Sequence, residues 1–191
     1  MIARRCFYQH TIRVPCCEQL RSQMQALSGP TVPFKVSSSC VSVSFVACPK
    51  QAALAHFLRL SETDRHMRFL QFMSDQAIDG YVSQIDFSKA ICFGMFDADQ
   101  RLIAMAEALP YRAGTRSMAE AAFSTDEGWR RHGLARRLCE SLGEHARSTG
   151  VDRVVLHCHR RNAAMRGLLR AIDAVTTIDD GDLEAEWDTT L

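Results

Sequence analysis

The chain has 191 residues, of which 47% are hydrophobic and 24% charged. That is enough for one globular domain with a core of its own, and it excludes a disordered or fibrous chain. A formal net charge of +1 gives no general attraction to nucleic acid or to a membrane surface. The charge is uneven, with ten arginines between Arg130 and Arg170 and an acidic tail at Asp179, Asp180, Asp182, Glu184, Glu186 and Asp188. A local basic patch therefore stays open.

The eight cysteines form no CxxC pair, and apart from adjacent Cys16 and Cys17 they are scattered through apolar surroundings. A chain of this length needs no disulfide framework, so they read as reduced, buried residues. A zinc site built on Cys158 with His157 or His159 lacks a second ligand pair, so no metal is expected. No apolar run reaches the ~20 residues of a membrane span. Arg4 and Arg5 are not followed by the apolar stretch of a secretory signal. The expected location is cytoplasmic, with no membrane association.

Residues 1–36 carry weak periodicity in "CCEQLRSQMQAL" and a loop in "SGPTVP", and they read as an N-terminal extension before a domain over 37–191. "VSVSF" alternates, which predicts a strand with Val41, Val43 and Phe45 on one face. Pro49 opens a helix over "QAALAHFLRL". Ser61 is an N-cap with Asp64 three residues on, so "DRHMRFLQFM" continues as helix, followed by a shorter one at "DQAIDGYVSQ". "KAICFGMFD" and "RLIAMAEAL" flank the turn Asp97–Gln100 as a hairpin, and "SMAEAAFST" is a further strand after the loop "PYRAGTR". Leu134, Leu138, Leu142 and Ala146 recur every four residues, predicting a helix from about Gly133 to Arg147 with that stripe inward. "DRVVLHCH" alternates too little for an edge, so it reads as a buried, near-parallel strand. "NAAMRGLLRAI" is a short helix. The tail is two strands around an Asp-Gly turn, with Leu183, Ala185 and Trp187 on one face. The order β-α-α-β-β-β-α-β-α-β-β predicts an α/β (α+β) fold: a central mixed, mostly antiparallel sheet flanked by helices.

The stretch "DEGWRRHGLARRL" places a basic cluster and Gly133 between a strand and a helix start. Exposed backbone N–H groups there, with the positive end of the helix dipole, form an anion seat. Gly133 permits φ > 0 and close approach of a phosphate, and the arginines add charge-assisted donors. No GxGxxG and no Gly-Lys-Ser/Thr occurs, which excludes the dinucleotide fingerprint and the Walker loop. A helix start with solvated arginines is the alternative on these residues alone.

Arg130-x-x-Gly133-x-Ala135 after a strand, then a helix, a buried strand and Asn162 opening another helix, resembles the acyl-CoA-binding core of the GNAT N-acetyltransferase superfamily. The resemblance runs from about Val41 to the C-terminus. More narrowly, "LRLSETDRHMRF", "IDFSKAICFGMFDADQRLIAMAEAL" and "AEAAFSTDEGWRRHGLARRL" are similar to the acetyltransferase domain of bacterial protein-lysine acetyltransferases. The resemblance implies a GNAT-like fold and the following cofactor contacts. The backbone of Phe123, Ser124 and Thr125 pairs with pantetheine and binds the thioester carbonyl. The loop Arg130, Arg131, His132, Gly133, Leu134 and Ala135 cradles the pyrophosphate, while Asn162, the only asparagine in the chain, contacts the pantetheine arm beside Met165. Asn162 also suits a helix cap. The resemblance puts Asp64, Arg65, His66, Arg68 and the loop Tyr111–Arg116 on the acceptor side. Two features depart from the family pattern. Arg170-Ala-Ile-Asp173 replaces its usual Arg-Leu-Gly-Phe, and Leu169 stands where many relatives carry a general-acid tyrosine.

Acyl transfer to an amine needs the neutral amine, and a lysine of pKa about 10.4 supplies it in only about one molecule in 2,500 at pH 7. A carboxylate that removes the proton, directly or through water, therefore contributes to rate. Glu120, ten residues before Arg130, matches the position of the relatives' glutamate, and apolar "MAEAAF" predicts a raised pKa. Glu107 is the second candidate. The expected function is acetyl transfer from acetyl-CoA to a primary amine, a protein lysine or a small molecule, by direct attack in a ternary complex. The expected protein is a monomer or homodimer. A non-catalytic acetyl-CoA sensor on the same fold is the alternative. Nucleic acid is not an expected partner, because no aromatic platform accompanies the arginines.

Overall fold

The computed structural model describes residues 32–36, 39–179 and 181–189. The readings of "CCEQLRSQMQAL" and of most of "SGPTVP" lie outside the described residues. Eight strands, β1 (Val32–Val36), β2 (Ser39–Ala47), β3 (Ile91–Phe96), β4 (Leu102–Ala113), β5 (Arg116–Thr125), β6 (Arg153–His159), β7 (Val175–Asp179) and β8 (Asp182–Asp188), form one sheet in the order β1-β2-β3-β4-β5-β6-β8-β7. The five residues of β1 belong to the segment read as an extension, and they pair with β2. All neighbours are antiparallel except β5 and β6, which run parallel. The sheet is thus the mixed, mostly antiparallel one that the sequence predicts.

Helices α1 (Lys50–Arg59), α2 (Glu62–Phe69) and α3 (Asp75–Gln84) follow β2, while α4 (Leu134–Ser148) and α5 (Ala163–Ala171) flank β6 in sequence. Two apolar clusters hold them on the sheet. Leu134, Leu138, Leu142 and Ala146 of α4 are buried in a cluster with Ala104, Ala106, Ala121, Phe123, Val154 and Leu156. Phe57, Ile78 and Val82, from α1 and α3, pack with Phe96, Leu102 and Met105. Each fully buried leucine or phenylalanine contributes about 1.5–3 kcal/mol, so the α4 stripe alone is a major anchor. Ala185 is buried and Leu183 and Trp187 pack against the α4 cluster, as their shared face predicts.

Two boundaries differ from expectation. The segment "PYRAGTR" is not a loop, because β4 continues to Ala113 and its ladder with β5 extends to Ala113↔Arg116. The turn shrinks to Gly114 and Thr115, with Gly114 at φ 62°. Helix α2 stops at Phe69 rather than Met73: Leu70 adopts a left-handed cap, Met73 turns into the core, and the Ser74 hydroxyl caps α3 by accepting from Ala77 N at 3.2 Å. Among the described residues no helix is long and apolar enough to cross a membrane.

Candidate active site

The parallel pair sets the position of the site. The β5–β6 ladder runs only from Met118↔Arg153 to Ala121↔Leu156, although β5 continues to Thr125 and β6 to His159. Beyond Ala121 the two strands part, and a crevice opens outside their carboxyl ends, where open α/β sheets bind ligands. The Ser117 carbonyl accepts from Asp152 N on the β6 side, and Asp126 N donates to Ile103 O on the β4 side. Alternation then directs the backbone N–H groups of Phe123 and Thr125 into the crevice and that of Ser124 into the β4 ladder. The Phe123 side chain is buried against α4.

The loop after β5 passes through a single 3-10 turn, Glu127–Trp129, before α4. Gly133 caps α4 at φ 77°, and a Cβ there would meet nothing within 4 Å, so glycine serves the left-handed backbone rather than space. Arg131 is also left-handed at φ 62°, an unusual state for a non-glycine residue. Alternating conformations of this kind turn successive N–H groups inward as an anion nest at the helix start. His132 Nδ1 is buried with no hydrogen-bond partner among the described residues. Leu134 is core and Ala135 packs against it. The Arg130 guanidinium is 2.6 Å from Asp64 on α2. At the end of β6, Asn162 Oδ1 accepts from Met165 N at 3.1 Å, so the side chain is a helix cap and its amide donors remain. These residues fit a pyrophosphate-bearing thioester: two crevice N–H groups for its arm and the Arg130–Ala135 loop for its phosphates.

Glu120 lies on the face of the sheet opposite the α4 cluster. Glu107 sits across from Ala122, two residues from Glu120, and Glu120 pairs with Val155, two residues from His157, which faces Glu184. The period of two puts all four polar side chains on one face. Burial raises the Glu120 pKa; His157 and Arg68 oppose the rise, while Glu107 and Glu184 add to it. This matches the expectation from "MAEAAF". Glu107 has a different role: buried Glu107 Oε1 accepts hydrogen bonds from Arg68 and from the Tyr81 hydroxyl. Burial and Glu107 push the Tyr81 phenol well above its usual range, so it stays protonated and donates. Arg68, read from sequence as acceptor-side, is buried there, and Arg65 is spent on Asp75 and the Leu58 and Met73 carbonyls. Cys48, Cys92, Cys139 and Cys158 are free thiols; burial raises all four, Cys158 to about 11.

Sequence reasoning missed a third group. His56 of α1 is fully buried, with Nε2 2.8 Å from Ser124 Oγ and Nδ1 2.9 Å from Asp126 Oδ1. Asp126 Oδ2 accepts from Arg59 and Arg101, both at 3.1 Å. Burial works against ionisation of Asp126, but the His56 and Arg59 contacts outweigh it and lower its pKa. His56 and Ser124 are 68 residues apart, and no local spacing signals their contact.

A splayed parallel pair, a left-handed turn at the following helix start and a carboxylate on the adjoining face thus lie together at one end of the sheet. The chain belongs to the acetyltransferase (GNAT) family, whose model matches residues 57–172. No match was found among curated proteins. The chain is similar in structure to the GNAT domain of Streptomyces lividans PAT, with a TM-score of 0.64 and 18% identity over 78% of this chain and 91% of that one. It is also similar to a cAMP-binding acyltransferase from Mycobacterium smegmatis, solved as a mutant, at 24% identity and TM-score 0.54 over 91% of this chain and 51% of that one. The PaiA N-acetyltransferase of Thermoplasma acidophilum, solved with coenzyme A, matches at 13% identity and TM-score 0.56 over 77% of this chain and 99% of that one.

Proposed function

We propose that the protein transfers an acetyl group from acetyl-CoA to a primary amine, such as a protein lysine, by direct attack of the amine on the thioester. The observation that carries this reading is Glu120, held by burial in a raised-pKa state on the strand that borders the crevice. When bound, acetyl-CoA supplies the activated acyl group. Arg131, Gly133 and the start of α4 seat its phosphates, and the Phe123 and Thr125 N–H groups hold the arm and stabilise charge on the carbonyl oxygen. Glu120 takes the proton from the incoming ammonium, directly or through a water. Its raised pKa brings it nearer to neutrality, where a general base is most effective. Family membership supports acyl transfer, and the coenzyme A bound to PaiA supports the choice of donor.

Calorimetry with acetyl-CoA tests the seat. Wild type is expected to bind in the range of enzyme substrates, roughly micromolar to millimolar, and Gly133→Asp, which places an anion in the nest, is expected to abolish binding. A folded wild type that does not bind removes the reading. Binding without acetyl transfer to any amine in a panel leaves a sensor module instead.

A further inference from the structure

Asp126, His56 and Ser124 form a chain of close polar contacts, an ion-pair contact between Asp126 and His56 and a hydrogen bond between His56 and Ser124, that the amine-transfer reaction does not use. The ring of His56 has its tautomer fixed by its neighbours. Nδ1 donates to the Leu102 carbonyl at 3.3 Å and has the Asp126 carboxylate at 2.9 Å, and both are acceptors. Nδ1 must therefore carry a proton, so in the neutral ring Nε2 holds the lone pair. That lone pair faces Ser124 Oγ at 2.8 Å and accepts its proton. A hydroxyl on a base that is oriented by a third, anionic group is the arrangement that activates serine nucleophiles on unrelated folds.

The position of Ser124 is the second observation. It is half-buried, three residues past the last β5–β6 pair, and lies between Phe123 and Thr125, whose N–H groups point into the crevice. A carbonyl oxygen held by those N–H groups has the Ser124 hydroxyl as a neighbour on the same strand. His56 is locked on the other side by the core around Phe57 and by the Asp126 contacts to Arg59 and Arg101. The ring is thus fixed in place behind the serine.

We propose that Ser124 is a nucleophile and that the protein has a second activity, the hydrolysis of acyl thioesters through an acyl-serine when no amine is bound. The proposal rests on the crevice being the thioester site. Ser124 Oγ bonds to the carbonyl carbon as its proton passes to His56 Nε2. The carbon–sulfur bond breaks, and that proton leaves His56 for the departing sulfur, giving O-acyl-Ser124 and a thiol. Water then gives a proton to His56 Nε2 and its oxygen to the acyl carbon. The bond to Oγ breaks and Ser124 regains a proton, so thioester and water become carboxylic acid and thiol. Glu120 serves the amine and His56 serves the serine; the two bases do not compete for one proton.

The test uses the full chain without amine and two donors, acetyl-CoA and p-nitrophenyl acetate, the second needing no nucleotide seat. Free thiol or nitrophenol is followed in time, and the quenched protein is weighed and mapped by mass spectrometry. Wild type is expected to carry one acetyl group on the peptide containing Ser124 and to turn over slowly. Ser124→Ala, a small change at a half-buried position, is expected to carry none and to lose turnover by about 10²-fold or more. His56→Gln, which keeps a polar side chain behind the serine but no base, is expected to form the acyl-serine at least ~10²-fold more slowly. Hydrolysis that persists in Ser124→Ala, or a folded wild type with no acetyl on Ser124 from either donor, overturns the proposal. Failure of acetyl-CoA binding alone overturns the amine-transfer reading, and the nitrophenyl ester then still decides the serine.

Discussion

Glu107 and Glu120 stand on adjacent strands and the same face of the sheet, yet the protein gives them opposite surroundings. The region around Glu107 is closed: α2 and α3 cover it, Phe57, Phe69 and Tyr81 contact one another edge to face, and Arg68 lies over the Phe57 and Phe69 rings. Its charge has a dedicated cation and a phenol donor. The region around Glu120 is half open, and on the β6 side it meets His157 and Glu184, 3.7 Å from each other. Burial raises the Glu120 pKa, and His157 and Arg68 oppose the rise without cancelling it. One carboxylate is thus neutralised into structure, while the other is left with affinity for a proton. The difference teaches that partners, more than burial, decide which of two glutamates does chemistry.

The largest effect that tests this contrast is on rate. Glu120→Gln should lower kcat for amine acetylation by about 10²–10⁴-fold with acetyl-CoA affinity unchanged, read by steady-state kinetics beside calorimetry. Equal loss in Glu107→Gln would erase the distinction. Instead, Glu107→Gln should leave kcat of the folded enzyme within a few-fold and cost stability. It leaves Arg68, whose side chain is 7% exposed, without its anion, and removing one partner of a buried pair costs about 3 kcal/mol. Chemical denaturation of the two variants side by side measures that asymmetry.

Much of this was legible in the sequence, and what was not has a common physical cause. The Leu134–Ala146 stripe, the Gly133 turn and the buried β6 strand each follow from local periodicity or from one residue's backbone freedom, and the structure contains all three. The raised pKa of Glu120 was legible because its apolar neighbours are adjacent in sequence. The pairing of Arg68 with Glu107 was not legible, because the two are 39 residues apart. His56 lay unnoticed in "QAALAHFLRL" for the same reason: its partners arrive from β5 and from the residue just after it. The β4 extension through Pro110 was hidden because proline and glycine mark turns, whereas the ladder with β5 carries the chain past the first of them.

The smallest effect is the most specific to Glu120, because it concerns a sign. Its pKa is raised in the folded protein relative to an unfolded value of about 4.3. Between those two values the folded state binds more protons than the unfolded one, so stability falls as pH rises through the window. Below about pH 4.3 wild-type Glu120 is protonated in both states, and Glu120→Gln, an uncharged side chain of the same shape, should match it in stability. Above the raised value wild type carries the full cost of a desolvated carboxylate, and the glutamine variant should be the more stable of the two. A variant that loses catalysis while gaining stability, with the gain absent in acid, is what a residue held against its own folding preference produces. Glu107→Gln should instead be destabilised, because it leaves buried Arg68 without its anion. Thermal melts of wild type and both variants across pH therefore separate the two carboxylates without any substrate. A destabilised Glu120→Gln at neutral pH would mean that Glu120, too, is a structural ion.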